Sequence, residues 1–181
     1  CATGISQHEI VTDGYDELTQ DAVTLRFPLR ERPGEALLVW TTTPWTLSSN
    51  VAAAVGPDLT YARVRTDQGV LYLSKGCLHM LEGSYQVLGE IQGAEMVGWT
   101  YDGPYDELPA EQMPGGYSHL DSLHLNVRES AVQAHRVIPW DEVGEEEGTG
   151  IVHIAPGCGA EDFQLGKSLG LPMVAPLDEE G

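Results

Sequence analysis

The chain has 181 residues, 41% apolar and 20% charged, the composition of a soluble globular domain that buries roughly 70% of its unfolded surface. Nine basic against 28 acidic side chains leave a net charge of −19, which argues against a stand-alone RNA binder because affinity for a phosphate backbone needs basic contacts. No apolar run approaches the roughly 20 residues of a membrane span, and Glu9, Asp13 and Asp16 interrupt the start where a signal peptide would lie.

Strand patterns dominate the first half. Ala22 to Phe27 alternates, with Val23, Leu25 and Phe27 on one face and Thr24 and Arg26 on the other. Ala36 to Trp40 is a short apolar run typical of a buried strand. Val51 to Val55, Tyr61 to Arg65 and Gly69 to Leu73 follow, separated by turns at Gly56-Pro57-Asp58 and Asp67-Gln68-Gly69. A short helix is predicted over Lys75 to Leu81, then a strand over Tyr85 to Ile91. The stretch from Gly93 to Arg128 is irregular, rich in glycine and proline, and reads as an insertion. An acidic loop, Asp141 to Glu147, precedes a strand over Ile151 to Ile154. A helix over Ala160 to Leu169 carries Glu161 and Asp162 in its first turn and Lys167 near its end, with Gly170 as the stop. Many short strands at this spacing point to a sandwich or barrel. Cys1, Cys77 and Cys158 are odd in number and widely spaced, so a disulfide framework is not expected and a reducing, cytoplasmic setting is. Starting on Cys1 without an initiator Met, the chain reads as a fragment, treated as one domain over 1–181 with the insertion near 93–128.

Two segments concentrate chemistry. Thr41-Thr42-Thr43-Pro44-Trp45-Thr46-Leu47-Ser48-Ser49-Asn50 gathers hydroxyl and amide groups directly after a buried strand, and each hydroxyl both donates and accepts. Pro44 constrains the path, so the threonines need not alternate. A plainer reading also fits: threonine suits strands, and serine and asparagine fill turns. The second segment, Gly148 to Asp162, runs through a glycine turn, an apolar strand holding His153, a glycine-rich turn and a helix start at Asp162. Taken singly, His153 fits a satisfied core histidine and Asp162 a helix cap. Gly166-Lys167-Ser168-Leu169-Gly170 matches a nucleophile-elbow string, but it lies at a helix end rather than on a strand-to-helix turn. His119, Asp121 and His124, or Cys77 and His79, are too few and too close for a structural zinc site, so no metal ligand is assigned.

Together the two segments resemble a known family. Trp40-Thr41-Thr42-Thr43-Pro44-Trp45-Thr46-Leu47 with Asn50 resembles the threonine-rich peptide of the editing (connective polypeptide) domain of isoleucyl-tRNA synthetases, which are class I aminoacyl-tRNA synthetases. Gly148-Thr149-Gly150-Ile151-Val152-His153, with Ala155-Pro156, Gly159 and Asp162, resembles that domain's second signature. Cys1 to Ser6 with Glu9, and Gly170 to Asp178, resemble its flanks. Ser48 stands where the family often has proline, and Cys158 where it often has histidine or an aromatic residue.

The resemblance implies a mainly β fold with a few helices (α+β) and a closed β-barrel core of the Val/Ile/Leu-tRNA synthetase editing-domain type. It implies hydrolytic editing of Val-tRNA(Ile), of valyl-adenylate or of both, with isoleucine excluded by size. One missing methylene yields only about 1–3 kcal/mol of discrimination; this synthetase is itself the standard illustration of that limit. By resemblance, Asp162 binds the α-amino group of the attached amino acid. Thr41, Thr42 and Thr43 line the amino acid and ester, and Thr43 and Thr46 help position the attacking water. Trp45 packs beside the terminal adenosine or the substrate, Asn50 is a conformational or ribose-side support, and His153 is the wall against isoleucine. Gly150 and Ala155 complete the substrate-binding set. Expected partners are the tRNA(Ile) 3′ end carrying valine, valyl-adenylate, L-valine and the remaining synthetase domains. No membrane and no cofactor are expected for the chain itself; ATP and magnesium, with zinc as a candidate, belong to the parent enzyme. An activated ester needs a positioned water and oxyanion stabilisation rather than an acyl-enzyme, with His153 as general base the weaker alternative. Three other readings stand beside this one. A module that only holds the RNA 3′ end is one. An acid-protease-like hydrolase lacks paired Asp-Thr/Ser-Gly turns. A complete synthetase would be longer and carry the His-Ile-Gly-His-like and Lys-Met-Ser-Lys-Ser-like ATP motifs.

Overall fold

The computed structural model describes residues 22–115 and 128–174. The flanking motifs around Cys1 and Asp178 and the His119, Asp121 and His124 cluster therefore lie outside the described residues. Eight strands form one sheet: β1 (Val23–Pro28), β2 (Glu35–Thr41), β3 (Ala52–Val55), β4 (Thr60–Thr66), β5 (Gly69–Ser74), β6 (Gln86–Gln92), β7 (Arg136–Pro139) and β8 (Ile151–Ile154). Seven of them were expected from alternation or apolar runs. β7 was not: four residues ending in proline give too little pattern, and Pro139 is tolerated because β7 is an edge strand.

The sheet runs β6-β4-β5-β2-β8-β3-β7, with β1 on the free side of β2. β2 is the hinge of this order. Its first residues, Glu35 to Leu37, pair in parallel with β5, and Trp40, near its end, pairs in parallel with Val152 of β8. Two neighbours on one strand side split the sheet, and the split opens where Trp40 and Thr41 emerge. Period-2 alternation then assigns the faces. Leu37 and Val39 join Phe27, Ala53, Val55, Tyr61, Tyr101 and Ile151 inside the curl. Ala36 and Leu38 turn outward to meet Val64, Leu73 and Cys77. Ala52, Ala54 and Ile154 face a third cluster containing Ala131, Ala134, Ile138 and Leu171. The small side chains of β3 let the helical turn above it come close.

The sheet is a curled half-barrel. Regular pairing ends at β6 and β7, so the expected closed barrel is not seen as continuous ladders. Single bridges join Thr100 to Arg136 and Tyr101 to Leu29, which lays the 98–102 segment between the end of β1 and β7. Helical elements are few: α1 (Gly93–Met96), α2 (Pro109–Gln112), α3 (Ala131–Ala134) and α4 (Ala160–Leu169). The helix expected over Lys75 to Leu81 is a 3-10 turn, Lys75–Met80, and Pro44–Ser49 is another. α4 ends as predicted, on Gly170 in the left-handed region at φ 64°. Ser168 lies in its last turns and bonds Leu165 O, not on a strand-to-helix turn. The stretch read as an insertion is built into the core over its described part: Met96, Tyr101 and Glu111 are fully buried.

Glu111 has a thermodynamic consequence. Both of its carboxyl oxygens are buried without a hydrogen-bond partner. Burial, reinforced by the charge of Asp106, pushes its pKa up to about 9. The folded chain therefore keeps a proton that the unfolded chain releases above its ordinary value near 4.5. A raised carboxyl pKa costs stability as pH rises, by up to about 1.4 kcal/mol per pH unit until the folded group ionises. Glu111→Gln is expected to flatten that decline between pH 5 and 9, measured by urea unfolding; a slope identical to the wild type would contradict this.

Candidate functional site

Val39 and Thr41 share a face of β2, and Ile151 and His153 share a face of β8. Val39 and Ile151 lie in the interior cluster, so Thr41 and His153 continue that face to the mouth of the half-barrel. His153 stands directly opposite Ala53 of β3, whose small side chain leaves room for the imidazole. After Thr41 the chain turns at Pro44 into the 3-10 segment, where residues three apart stack on one side. That turn brings Thr43 and Thr46 together, with their hydroxyls 3.4 Å apart. Thr41 Oγ1 accepts the Thr43 N–H at 3.0 Å, and Thr46 Oγ1 donates to Thr43 O at 2.8 Å.

The two motifs meet at the imidazole. His153 Nε2 lies 2.8 Å from Thr46 Oγ1, and Nδ1 lies 2.9 Å from Asn50 Nδ2. Burial lowers the His153 pKa to about 4, so the ring is neutral at physiological pH and is no cation for a substrate carboxylate or phosphate. Beyond it the strand turns through Pro156 and Gly157 into α4. Gly157 is required there: a Cβ would sit 2.1 Å from Val174 O. Asp162, in the first turn of α4, accepts the Ala155 N–H at Oδ2 over 2.8 Å. Its pKa is raised by burial, an effect that the Ala155 hydrogen bond opposes. One carboxylate oxygen remains for a ligand.

These groups border a cavity of about 490 Å³, a volume in the range of small-molecule sites. Thr41, Thr42, Thr43, Trp45, Thr46, His153, Ala155 and Asp162 all line it. Two expected site residues do not. Asn50 is fully buried behind His153. Gly150 adopts φ +67°, and a Cβ there would come within 2.3 Å of Ser74 Cβ, so it serves close packing rather than ligand contact. Trp45 is 72% exposed at the rim.

Sequence reasoning gave no role to the far wall, made of Trp40, Trp140, Glu142, Glu147 and Cys158. Its signal was present in the acidic loop just before Gly148. Ser74 Oγ and Cys77 Sγ hold that loop by donating to Glu145 O, at 2.6 and 3.2 Å. His79 Nδ1 lies 3.1 Å from Gly76 O, so the Cys77 and His79 pair is occupied by backbone contacts. Among the described residues no three potential ligands come together for a metal ion. Among the described residues no lysine or arginine lines the cavity, whereas four carboxylates do: Glu142, Glu147, Glu161 and Asp162. Such a lining favours an ammonium group and repels phosphate.

No protein-family model matches the chain. It is 37% identical over 191 residues to the isoleucine–tRNA ligase of Pyrococcus furiosus, a match covering 100% of this chain and 16% of that protein. The corresponding enzyme of Thermus thermophilus is 38% identical over 187 residues, covering 100% and 16%. Among solved structures the fold is similar to GlLeuRS-CP1, with TM-score 0.60 and 16% identity over 80% of this chain and 58% of that one. It is also similar to the P. knowlesi cytosolic leucyl-tRNA synthetase editing domain, with TM-score 0.55 and 16% identity over 80% and 59%. The whole chain is thus homologous to a segment spanning about a sixth of isoleucine–tRNA ligases, and its fold is one seen in synthetase editing domains. No described helix is long and apolar enough to cross a membrane.

The depressed His153 pKa fixes a pH window. The unfolded ring takes up a proton below about 6.5, whereas the folded ring resists until about 4. Its contribution is therefore present above pH 6.5 and lost as pH falls toward 4, about 3 kcal/mol in all. In His153→Gln this acid-side loss should vanish relative to the wild type in chemical denaturation at pH 4 to 7. Parallel curves for the two proteins would mean the ring titrates normally.

Proposed function

We propose that this chain, homologous to part of the isoleucine–tRNA ligases, is their hydrolytic editing domain. Its substrate would be valine esterified to the tRNA 3′ end, valyl-adenylate or both. The observation that carries this reading is the cavity lining: threonine hydroxyls on one side, a half-buried carboxylate and a neutral imidazole on the other, and no cation among the described residues. An aminoacyl ester presents what such a lining accepts, an ammonium group and a polar ester without a phosphate at the reacting centre. The free oxygen of Asp162 would take the ammonium by a charge-assisted hydrogen bond. Thr41, Thr42 and Thr43 would hold the ester and the attacking water, with Thr46 behind them. His153, held on both nitrogens, would be a rigid wall that valine clears and isoleucine does not. Trp45 at the rim would receive the adenosine. The barrel would be completed through the 98–102 segment, which lies between β1 and β7. L-Valine and the rest of the synthetase follow as product and partner, in the cytoplasm, with ATP and metal chemistry left to the other domains.

A second reading, a module that only holds the acylated 3′ end, is disfavoured by the net charge of −19, since holding RNA requires cations. Turnover separates the two. Asp162→Ala should lower valyl-ester hydrolysis on the order of 10- to 100-fold, the worth of a lost charged hydrogen bond, with the fold intact by circular dichroism. Wild-type activity in that variant would remove Asp162 from its role. His153→Ala should admit isoleucyl esters to hydrolysis; unchanged discrimination would refute the steric wall.

A further inference from the structure

We propose that Tyr101 is a positioning residue that acts through Asn50 to fix which nitrogen of His153 carries the proton, leaving the ring a hydrogen-bond donor toward Thr46. The argument starts from Ala52 O, which can only accept. The Asn50 atom 3.1 Å from that carbonyl must therefore be the amide nitrogen. The same nitrogen is 2.9 Å from His153 Nδ1, so Nδ1 meets a donor and must present its lone pair. In a neutral imidazole the proton then sits on Nε2. Nε2–H donates to Thr46 Oγ1 at 2.8 Å, and the Thr46 hydroxyl in turn has Thr43 O at 2.8 Å. The chain has one direction from His153 to Thr43 O, and with the Thr46 proton so used, the 3.4 Å contact between the Thr43 and Thr46 hydroxyls has Thr43 as its donor.

Tyr101 supplies the start of that chain. Its hydroxyl donates to Asn50 Oδ1 at 2.8 Å. Its ring is fully buried and stacked between Phe27 and His135, with both centroid distances 5.0 Å. His135 is itself fixed, with Nδ1 3.1 Å from Val51 O and Nε2 2.9 Å from Asp106 Oδ1. Without the hydroxyl, Asn50 Oδ1 becomes a buried acceptor with no donor. Turning the amide over would then aim Oδ1 at His153 Nδ1 and favour a proton there, at the cost of the hydrogen bond to Ala52 O. Nε2 would gain a lone pair facing Thr46, which is the arrangement of a general base. Tyr101 thus holds His153 out of base chemistry, a consequence for the reaction that rests on the editing reading.

The test needs no substrate. With 15N-histidine labelling of the 181-residue chain, long-range proton–nitrogen spectra at pH 7 are expected to show His153 Nδ1 unprotonated and Nε2 protonated. In Tyr101→Phe, which keeps the stacked ring, the two nitrogen shifts are expected to move toward each other or exchange. A wild-type ring protonated on Nδ1, or a Tyr101→Phe spectrum identical to the wild type, would overturn the inference. Should that variant fail to fold, Tyr101→His decides: an aromatic ring is retained but the phenol hydroxyl that donates to Asn50 Oδ1 is gone, so the two His153 nitrogen shifts are expected to move as in Tyr101→Phe, and unmoved shifts sink the proposal. Absence of valyl-ester turnover alongside the expected wild-type tautomer would remove the editing reading and leave this inference standing.

Discussion

Two hydrogen bonds of the His153 imidazole, with Thr46 at 2.8 Å and with Asn50 at 2.9 Å, join segments 107 and 103 residues apart. The architecture serves that junction. β2 leads the threonine-rich turn out of the core, β8 brings His153 beside it, and β3 keeps Ala53 opposite the ring. Because the ring is buried and occupied at both nitrogens, it cannot swing or charge without breaking a contact. A residue so fixed is suited to measuring the size of what lies against it.

Electrostatics organises the remainder. The chain carries −19 overall, and its cavity gathers carboxylates without a cation. A ligand that enters with an ammonium group is drawn in, whereas an RNA backbone is held at the rim or beyond. The two unpartnered carboxyl oxygens of Glu111 mark a different constraint. They sit in the segment that closes over Tyr101, where charge near the hydrogen-bond chain behind His153 is kept neutral by burial.

Much of this was legible in the residues. Seven strands followed from alternation and turn residues, and the helix over Ala160 to Leu169 matched its first-turn acids and terminal glycine. Long-range closure was not legible. β7 is four residues ending in proline, and its partner β3 lies some eighty residues earlier, so no local pattern announces it. The roles of Asn50 and Gly150 also depend on distant contacts. Asn50 read as either a conformational or a ribose-side support, and only its bonds to Ala52, His153 and Tyr101 select the first; Gly150 looked like a ligand-facing glycine until Ser74 packed against it. Tyr101 lay in a stretch read as insertion, because glycine and proline composition hides a core residue that arrives on an irregular backbone. The far wall of the cavity was visible only as an acidic loop, since charge in a sequence does not say which space it faces.

The central claim is that the pocket between the two motifs sorts aminoacyl groups by size. The most direct measurement is titration of the chain with non-hydrolysable valyl- and isoleucyl-adenosine analogues, followed at the amide resonances of His153 and Asp162. The account predicts that the valyl compound shifts both residues and saturates, while the isoleucyl compound does not. Equal responses to the two compounds, or shifts confined to residues away from the cavity, would contradict it.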